Sequence, residues 1–130
     1  MKKLLSFSLV ILSFIAVTAM TVVVAAEFKF EEETHDFGKL PQGKPATYDF
    51  KFTNVGDEPL IITAADPSCG CTVPKFSNVP VKKGETGVIS VIFNAPVVGS
   101  FVKMVTVKSN AKTPVKYLYI KGEVISASSK

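Results

Sequence analysis

Cys69-Gly70-Cys71 holds the only two thiols in this 130-residue chain, one glycine apart. A pair at that spacing has three chemistries open to it. It can close a local disulfide, or stand as two packed thiols, and so shape a loop. It can cycle between dithiol and disulfide. It can offer two soft thiolates to copper or zinc. On an extended segment residues i and i+2 point to the same face. Their Cα atoms then lie roughly 6.5 Å apart, near the upper limit for a bridge, and Gly70 gives the backbone freedom to shorten that gap. Closing so short a loop removes little chain entropy.

The surroundings weigh on the second and third chemistries. Lys75 is the only cation within a few residues of the pair, and no histidine lies close in sequence. The motif is also not Cys-x-x-Cys at a helix start, where thiol pKa values fall. Two thiolates suffice for linear Cu(I), whereas zinc wants four ligands. The other donors are His35, Met104 and the carboxylates. His35 is the lone histidine; beside Asp36 it reads first as a partner in a turn hydrogen bond, and Met104 as packing. One histidine leaves a Ser-His-Asp set without support. Gly38, Gly43 and Gly56 fall in separate turns, so there is no phosphate-binding loop. The inventory reads as a non-enzyme without a cofactor, copper or zinc being the alternative.

The elements that must position these residues follow a leader. Lys2 and Lys3 precede Leu4–Ala26, which carries no charge. Residues 1–26 read as a signal peptide cleaved after Val24-Ala25-Ala26, with Glu27 as the new N-terminus. The uncharged run also reaches the roughly 20 residues that span a bilayer, so an uncleaved signal anchor is the alternative. Both readings export everything after Ala26. They place the protein in the periplasm or cell envelope, in contact with membrane only through an uncleaved N-terminal segment.

Residues 27–130 suit one domain with a single core. They hold no helical periodicity. Short alternating stretches are broken by Gly, Pro, Asn and Asp about every ten residues, which predicts an all-β, immunoglobulin-like antiparallel sandwich of about seven strands. Ala46, Tyr48, Phe50 and Phe52 alternate with polar residues in the clearest strand. Ile89, Val91 and Phe93, then Phe101, Val105 and Val107, then Leu118, Ile120 and Val124 are expected to face the core. Lys103 falls on the same face as Phe101 and Val105, which calls for a bulge or a snorkelling stem. Gly122 marks a place where two backbones come close. Glu31-Glu32-Glu33 reads as a solvated edge that discourages strand pairing.

Charge is split along the chain. Residues 27–66 hold nine acids and four lysines, and residues 67–130 two acids and nine lysines. Either the halves interleave and neutralise each other, or the surface is dipolar. The net charge of the exported part is small and the chain has no arginine, which argues against nucleic acid.

His35-Asp36-Phe37-Gly38, Asn54-x-Gly56-Asp57-Glu58-Pro59-Leu60-x-Ile62, Ser68-Cys69-Gly70-Cys71-Thr72, Pro80-Val81-x-x-Gly84-Glu85, Gly99-x-Phe101 and Leu118-x-Ile120-x-Gly122 follow one another in this order. The series resembles the bacterial family called domain of unknown function 1573 over nearly all of residues 27–130. The resemblance implies an exported protein with an immunoglobulin-like sandwich, related in fold to the major sperm protein and to cilia- and centrosome-associated domains. It implies no activity. A binding or structural module of the envelope is the expectation, with a protein or glycan partner met at end loops or by strand addition. The loop residues to watch are Asn54, Gly56, Asp57, Ser68, Gly70, Thr72, Lys82 and Lys83. A thiol-based redox or metal-binding factor is the alternative.

Overall fold

The computed structural model describes residues 24–127, so all but the last three residues of the expected leader lie outside the described residues. Eight strands follow in order: β1 (Phe28–Phe30), β2 (Thr34–Pro41), β3 (Ala46–Asn54), β4 (Ile62–Pro67), β5 (Thr72–Phe76), β6 (Thr86–Phe93), β7 (Gly99–Ser109) and β8 (Val115–Ile125). They form two four-stranded sheets, ordered β1-β3-β6-β5 and β2-β8-β7-β4. The sequence pattern led to about seven. The additional strand is β5, where the chain after Cys71 pairs with β6 from Thr72↔Phe93 to Phe76↔Ile89.

Period-2 alternation decides which side chains meet between the sheets. Phe50, Phe52, Ile89, Val91 and Phe93 are buried from one side, and Phe101, Val105, Val107, Leu118, Ile120 and Val124 from the other. Burying each of these large apolar side chains contributes about 1.5–3 kcal/mol. Phe93 and Phe101 stack with ring centroids 4.1 Å apart, joining the two sheets. Lys103 sits in an unbroken β7–β8 register opposite Ile120, so its half-buried stem runs along apolar surface without a bulge. The ladder shifts fall elsewhere, between Asp36 and Lys39 and between Ile62 and Ala64. At Gly122 a Cβ would lie 2.6 Å from the Gly38 carbonyl oxygen, which is the close backbone approach expected there.

Among the eight strands one pairing is parallel, β2 with β8. The cause is a strand that changes sheets without reversing. β1 pairs antiparallel with β3. Glu31–Glu33 then carries the chain across: the Glu31 N–H donates to the Lys51 carbonyl, and the Glu33 carbonyl accepts from the Tyr119 N–H. The acidic run is thus an exposed crossing between sheets. The two charge halves interleave through Lys83–Asp57, Lys108–Asp66 and Lys116–Glu33, each pairing a lysine of the second half with an acid of the first. Each is open enough to solvent to add little to stability.

The packed unit begins before Glu27. Ala26 is buried at 1% exposure and bridges Ala111 in parallel. Its carbonyl accepts from the Lys112 N–H at 2.7 Å, and that of Ala25 from the Asp57 N–H at 2.9 Å. A Cβ on Gly56 would stand 2.2 Å from the Ala25 oxygen. Small residues are needed here because one backbone lies directly on another.

Gly56→Ala in a chain that includes Ala25 and Ala26 is therefore expected to destabilise the domain by about 2–4 kcal/mol. In a chain that starts at Glu27 the same substitution should cost far less, since the clashing atoms are gone. Equal losses in the two backgrounds, by chemical denaturation, would show that residues 25 and 26 do not occupy this slot.

Candidate functional site

The residues singled out by sequence fall at opposite ends of the sandwich. β3 spans nine residues, which sets the ends roughly 30 Å apart.

At the end where residues 24–26 enter, Asn54 is fully buried. Its Oδ1 accepts from the N–H groups of Glu27 at 3.2 Å and Gly56 at 3.0 Å. Its Nδ2 donates to the carbonyls of Glu58 at 2.7 Å and Val81 at 2.9 Å. A side-chain amide has little capacity beyond this, so Asn54 positions its loops and offers nothing to a ligand. Gly56 lies under Ala25 and Ala26. Lys83 donates to Asp57 at 2.8 Å. That bond and the carboxylate's charge raise the Lys83 pKa. Lys82 is exposed.

At the other end, Ser68-Cys69-Gly70-Cys71 turns the chain from β4 into β5. The Ser68 N–H donates to the Met104 carbonyl at 2.8 Å, and the Met104 N–H donates to the Ser68 hydroxyl at 3.0 Å. The Thr72 N–H reaches the Cys69 carbonyl at 3.3 Å, and the Asn94 N–H the Cys71 carbonyl at 2.9 Å. The segment is a turn, so the two Cα atoms are 5.4 Å apart, and Cys69 and Cys71 are joined as a disulfide. Both cysteines are half-buried and Gly70 is exposed. Thr72 is buried at 1% exposure. Its hydroxyl lies 3.6 Å from the Cys69 sulfur and 3.9 Å from the Cys71 sulfur. A disulfide sulfur carries no proton, so the threonine is the donor.

Cys71 forms part of the wall of a 330 Å³ hollow with Phe93, Pro96, Val97, Val98 and Phe101, and Lys103 stands at its side. Val97 is 72% exposed and Val98 50%. Zinc would want further donors, and among the described residues no group of three or more His, Cys, Asp or Glu side chains is gathered. His35 is instead held between aromatic rings. It stacks on Tyr48 with centroids 3.6 Å apart and meets the edge of Phe37 at 4.8 Å.

One feature escaped the sequence reading. On the outer face of β7 and β8, Val102, Tyr117 and Tyr119 are exposed. Met104 stands opposite Tyr119, and Thr106 opposite Tyr117. The signal was there: with Leu118 and Ile120 inward, alternation turns both tyrosines outward.

The family described as Protein of unknown function (DUF1573) matches residues 28–124. Comparison with curated proteins gives no match. Among solved structures, the chain is similar to a protein of unknown function from Porphyromonas gingivalis W83, at 15% identity and a TM-score of 0.68 over 82% of this chain and 51% of that one. It is similar to the ASH / PapD-like domain 7 of human CEP192, at 13% identity and a TM-score of 0.65 over 86% and 94%. It also resembles the VesB protease of Vibrio cholerae, at 14% identity and a TM-score of 0.58 over 77% and 31%. At these identities the likeness is one of fold, an immunoglobulin-like, PapD-like sandwich. The chain spans about half the length of the Porphyromonas protein and about a third of the protease.

The Tyr48 hydroxyl donates to Glu32 Oε2 at 2.8 Å. That bond first, then burial and the charges of Glu32 and Glu31, lift the Tyr48 pKa above the ordinary 10.0. A raised pKa means that the fold favours the neutral phenol. The contribution is present at neutral pH and is lost as pH rises through the folded-state value. In an alkaline titration followed by tyrosinate absorbance, with the Tyr48 transition assigned by its loss in Tyr48→Phe, Glu32→Ala should lower the pH at which Tyr48 ionises. An unchanged Tyr48 midpoint would refute the contact.

Proposed function

The chain belongs to the DUF1573 family, and on that premise we propose that it is a non-enzymatic binding or structural module of the cell envelope, exported to the periplasm or envelope. The observation that carries this reading is the outer face of β7 and β8. Tyr117 and Tyr119 lie in register with Thr106 and Met104, beside exposed Val102 and the lysines at 108 and 121. Tyrosine rings give a large, stiff contact area at low conformational cost. A flat aromatic face with flanking ammonium groups suits an extended polymer, either an envelope protein or a glycan.

Other features support the reading. The N-terminal charge and hydropathy pattern is that of an export signal. His35 is stacked between the rings of Tyr48 and Phe37. The likeness to a protease is one of fold and carries no activity.

The experiment is co-sedimentation with isolated cell envelopes, before and after protease digestion of the envelopes, which separates protein from glycan. Wild type should sediment. Tyr117→Ala/Tyr119→Ala should weaken binding about tenfold or more, as loss of a central aromatic contact does, and should keep its melting temperature. Equal sedimentation of the two proteins would remove the tyrosine face as the binding surface.

A further inference from the structure

We infer that the Cys69–Cys71 bridge is a thiol–disulfide exchange site for polypeptides that carry a cysteine pair beside apolar residues. In this assignment Cys71 is the sulfur attacked, Cys69 the sulfur expelled, and Thr72 the donor that receives the expelled thiolate. The assignment stands apart from the tyrosine face.

The bridge adds little to the fold. It links residues only two apart, so the unfolded chain loses little entropy by it. The turn has its own supports in the bonds of Ser68 to Met104, Thr72 to Cys69 and Asn94 to Cys71. A bridge that is dispensable and reachable is of the labile kind. Part of it is open to solvent here, since both cysteines are only half-buried.

Thr72 gives the chemistry a direction. Its hydroxyl is buried, and the two sulfurs are its hydrogen-bond partners. A hydroxyl gains little from a neutral disulfide and much more from a thiolate, because a charged acceptor roughly doubles the strength of such a bond. The interaction is therefore strongest in the state formed during exchange, the condition for lowering a barrier. Cys69 is the nearer sulfur, at 3.6 Å.

The hollow supplies the substrate side. Cys71 faces it, and Phe93, Pro96, Val97, Val98 and Phe101 make most of the lining, with Ser100 and Lys103 as its polar members. The loop that carries Val97 and Val98 is pinned. Ala95 is fully buried at a φ of 49°, its carbonyl accepts from the Gly43 N–H at 2.9 Å, and the Pro96 carbonyl accepts from the Gln42 side-chain amide at 3.1 Å. Two neighbouring valines are thus held out to solvent beside a disulfide. An apolar segment laid over them brings its own thiol to Cys71.

A substrate thiolate attacks the Cys71 sulfur; a substrate–Cys71 disulfide forms, the Cys69–Cys71 bond breaks, and the pair of electrons leaves on Cys69. The substrate's second thiolate attacks its own sulfur in the mixed disulfide and expels Cys71 as thiolate. The substrate dithiol is oxidised to a disulfide, Cys69 and Cys71 are reduced, and the two protons released by the substrate thiols end on the two cysteines.

The test incubates the purified oxidised protein with two reduced dithiol peptides of equal cysteine spacing, one apolar and one hydrophilic, and follows mixed disulfide and peptide oxidation by mass spectrometry. Wild type should oxidise the apolar peptide about tenfold or more faster than the hydrophilic one, a difference of about 1.4 kcal/mol that one buried apolar contact supplies. Val97→Asp/Val98→Asp should abolish that preference. Thr72→Val should slow both peptides about tenfold, the expected loss of a charge-assisted hydrogen bond, and Thr72→Ser should restore the rate. Cys69→Ser, offered the oxidised peptide, should trap a mixed disulfide at Cys71. A bridge that stays oxidised through the incubation overturns the assignment, as does a wild type that treats both peptides alike. Equal rates for Thr72→Val and wild type remove the threonine from it.

Discussion

The organisation of the domain depends on one buried polar side chain. Asn54 lies at the end of β3 with no solvent exposure, and leaving such an amide unpaired costs about 1–3 kcal/mol for each unsatisfied group. Its four hydrogen bonds go to four segments: the chain entering at Glu27, the turn at Gly56, the turn's far side at Glu58, and the loop before β6 at Val81. The backbone groups of Asn54 extend the same knot, its N–H donating to Glu85 and its carbonyl accepting from Gly84. Removing the amide would orphan groups in every one of these segments at once. One residue therefore fixes where the first strand begins, how β3 turns, and where the β5–β6 connection lies.

That knot makes the two ends of the sandwich unequal. Around Asn54 the loops are committed to one another and to Ala25 and Ala26, and Lys83 is tied to Asp57. At the other end the turn of residues 68–71 hangs from β7 by the two Ser68–Met104 bonds and from the chain just after β6 by the Asn94–Cys71 bond. The apolar hollow and the disulfide are found at this second end, away from the entering chain.

How much of this was legible in the sequence follows from the range of the forces involved. Alternation is local, so Phe50, Phe52, Ile89, Val91, Leu118 and Ile120 could be placed on the core face from the sequence alone. The family resemblance rests on turn residues, which are also local. The parallel pairing of β2 with β8 was not legible, because it depends on where a strand that changes sheets lands. The packing of Ala26 was not legible either. Small residues before Glu27 have the look of a cleavage site, and only the distant Gly56 and Ala111 show that they also fit a slot. Asn54 carries the same lesson. As an asparagine before a glycine-containing turn it reads as an exposed loop residue, and its burial comes from contacts 27 residues away on either side, at Glu27 and Val81.

The thiol end shows local and distant constraints meeting in four residues. β5 starts immediately after the second cysteine, and its register with β6 sets Thr72 opposite Phe93. Because Thr72, Pro74 and Phe76 share the inward face of that strand, the threonine side chain must point under the turn that precedes it. The turn must in turn bring Cys69 back over Thr72, since the Thr72 N–H is bonded to the Cys69 carbonyl. A hydroxyl beneath both sulfurs is thus a consequence of where the strand begins, and Cys69-Gly70-Cys71-Thr72 behaves as one unit. Valine at position 72 would fill the same space and keep the strand. What it would not keep is a proton donor facing sulfur, and no packing requirement of the sandwich asks for that donor.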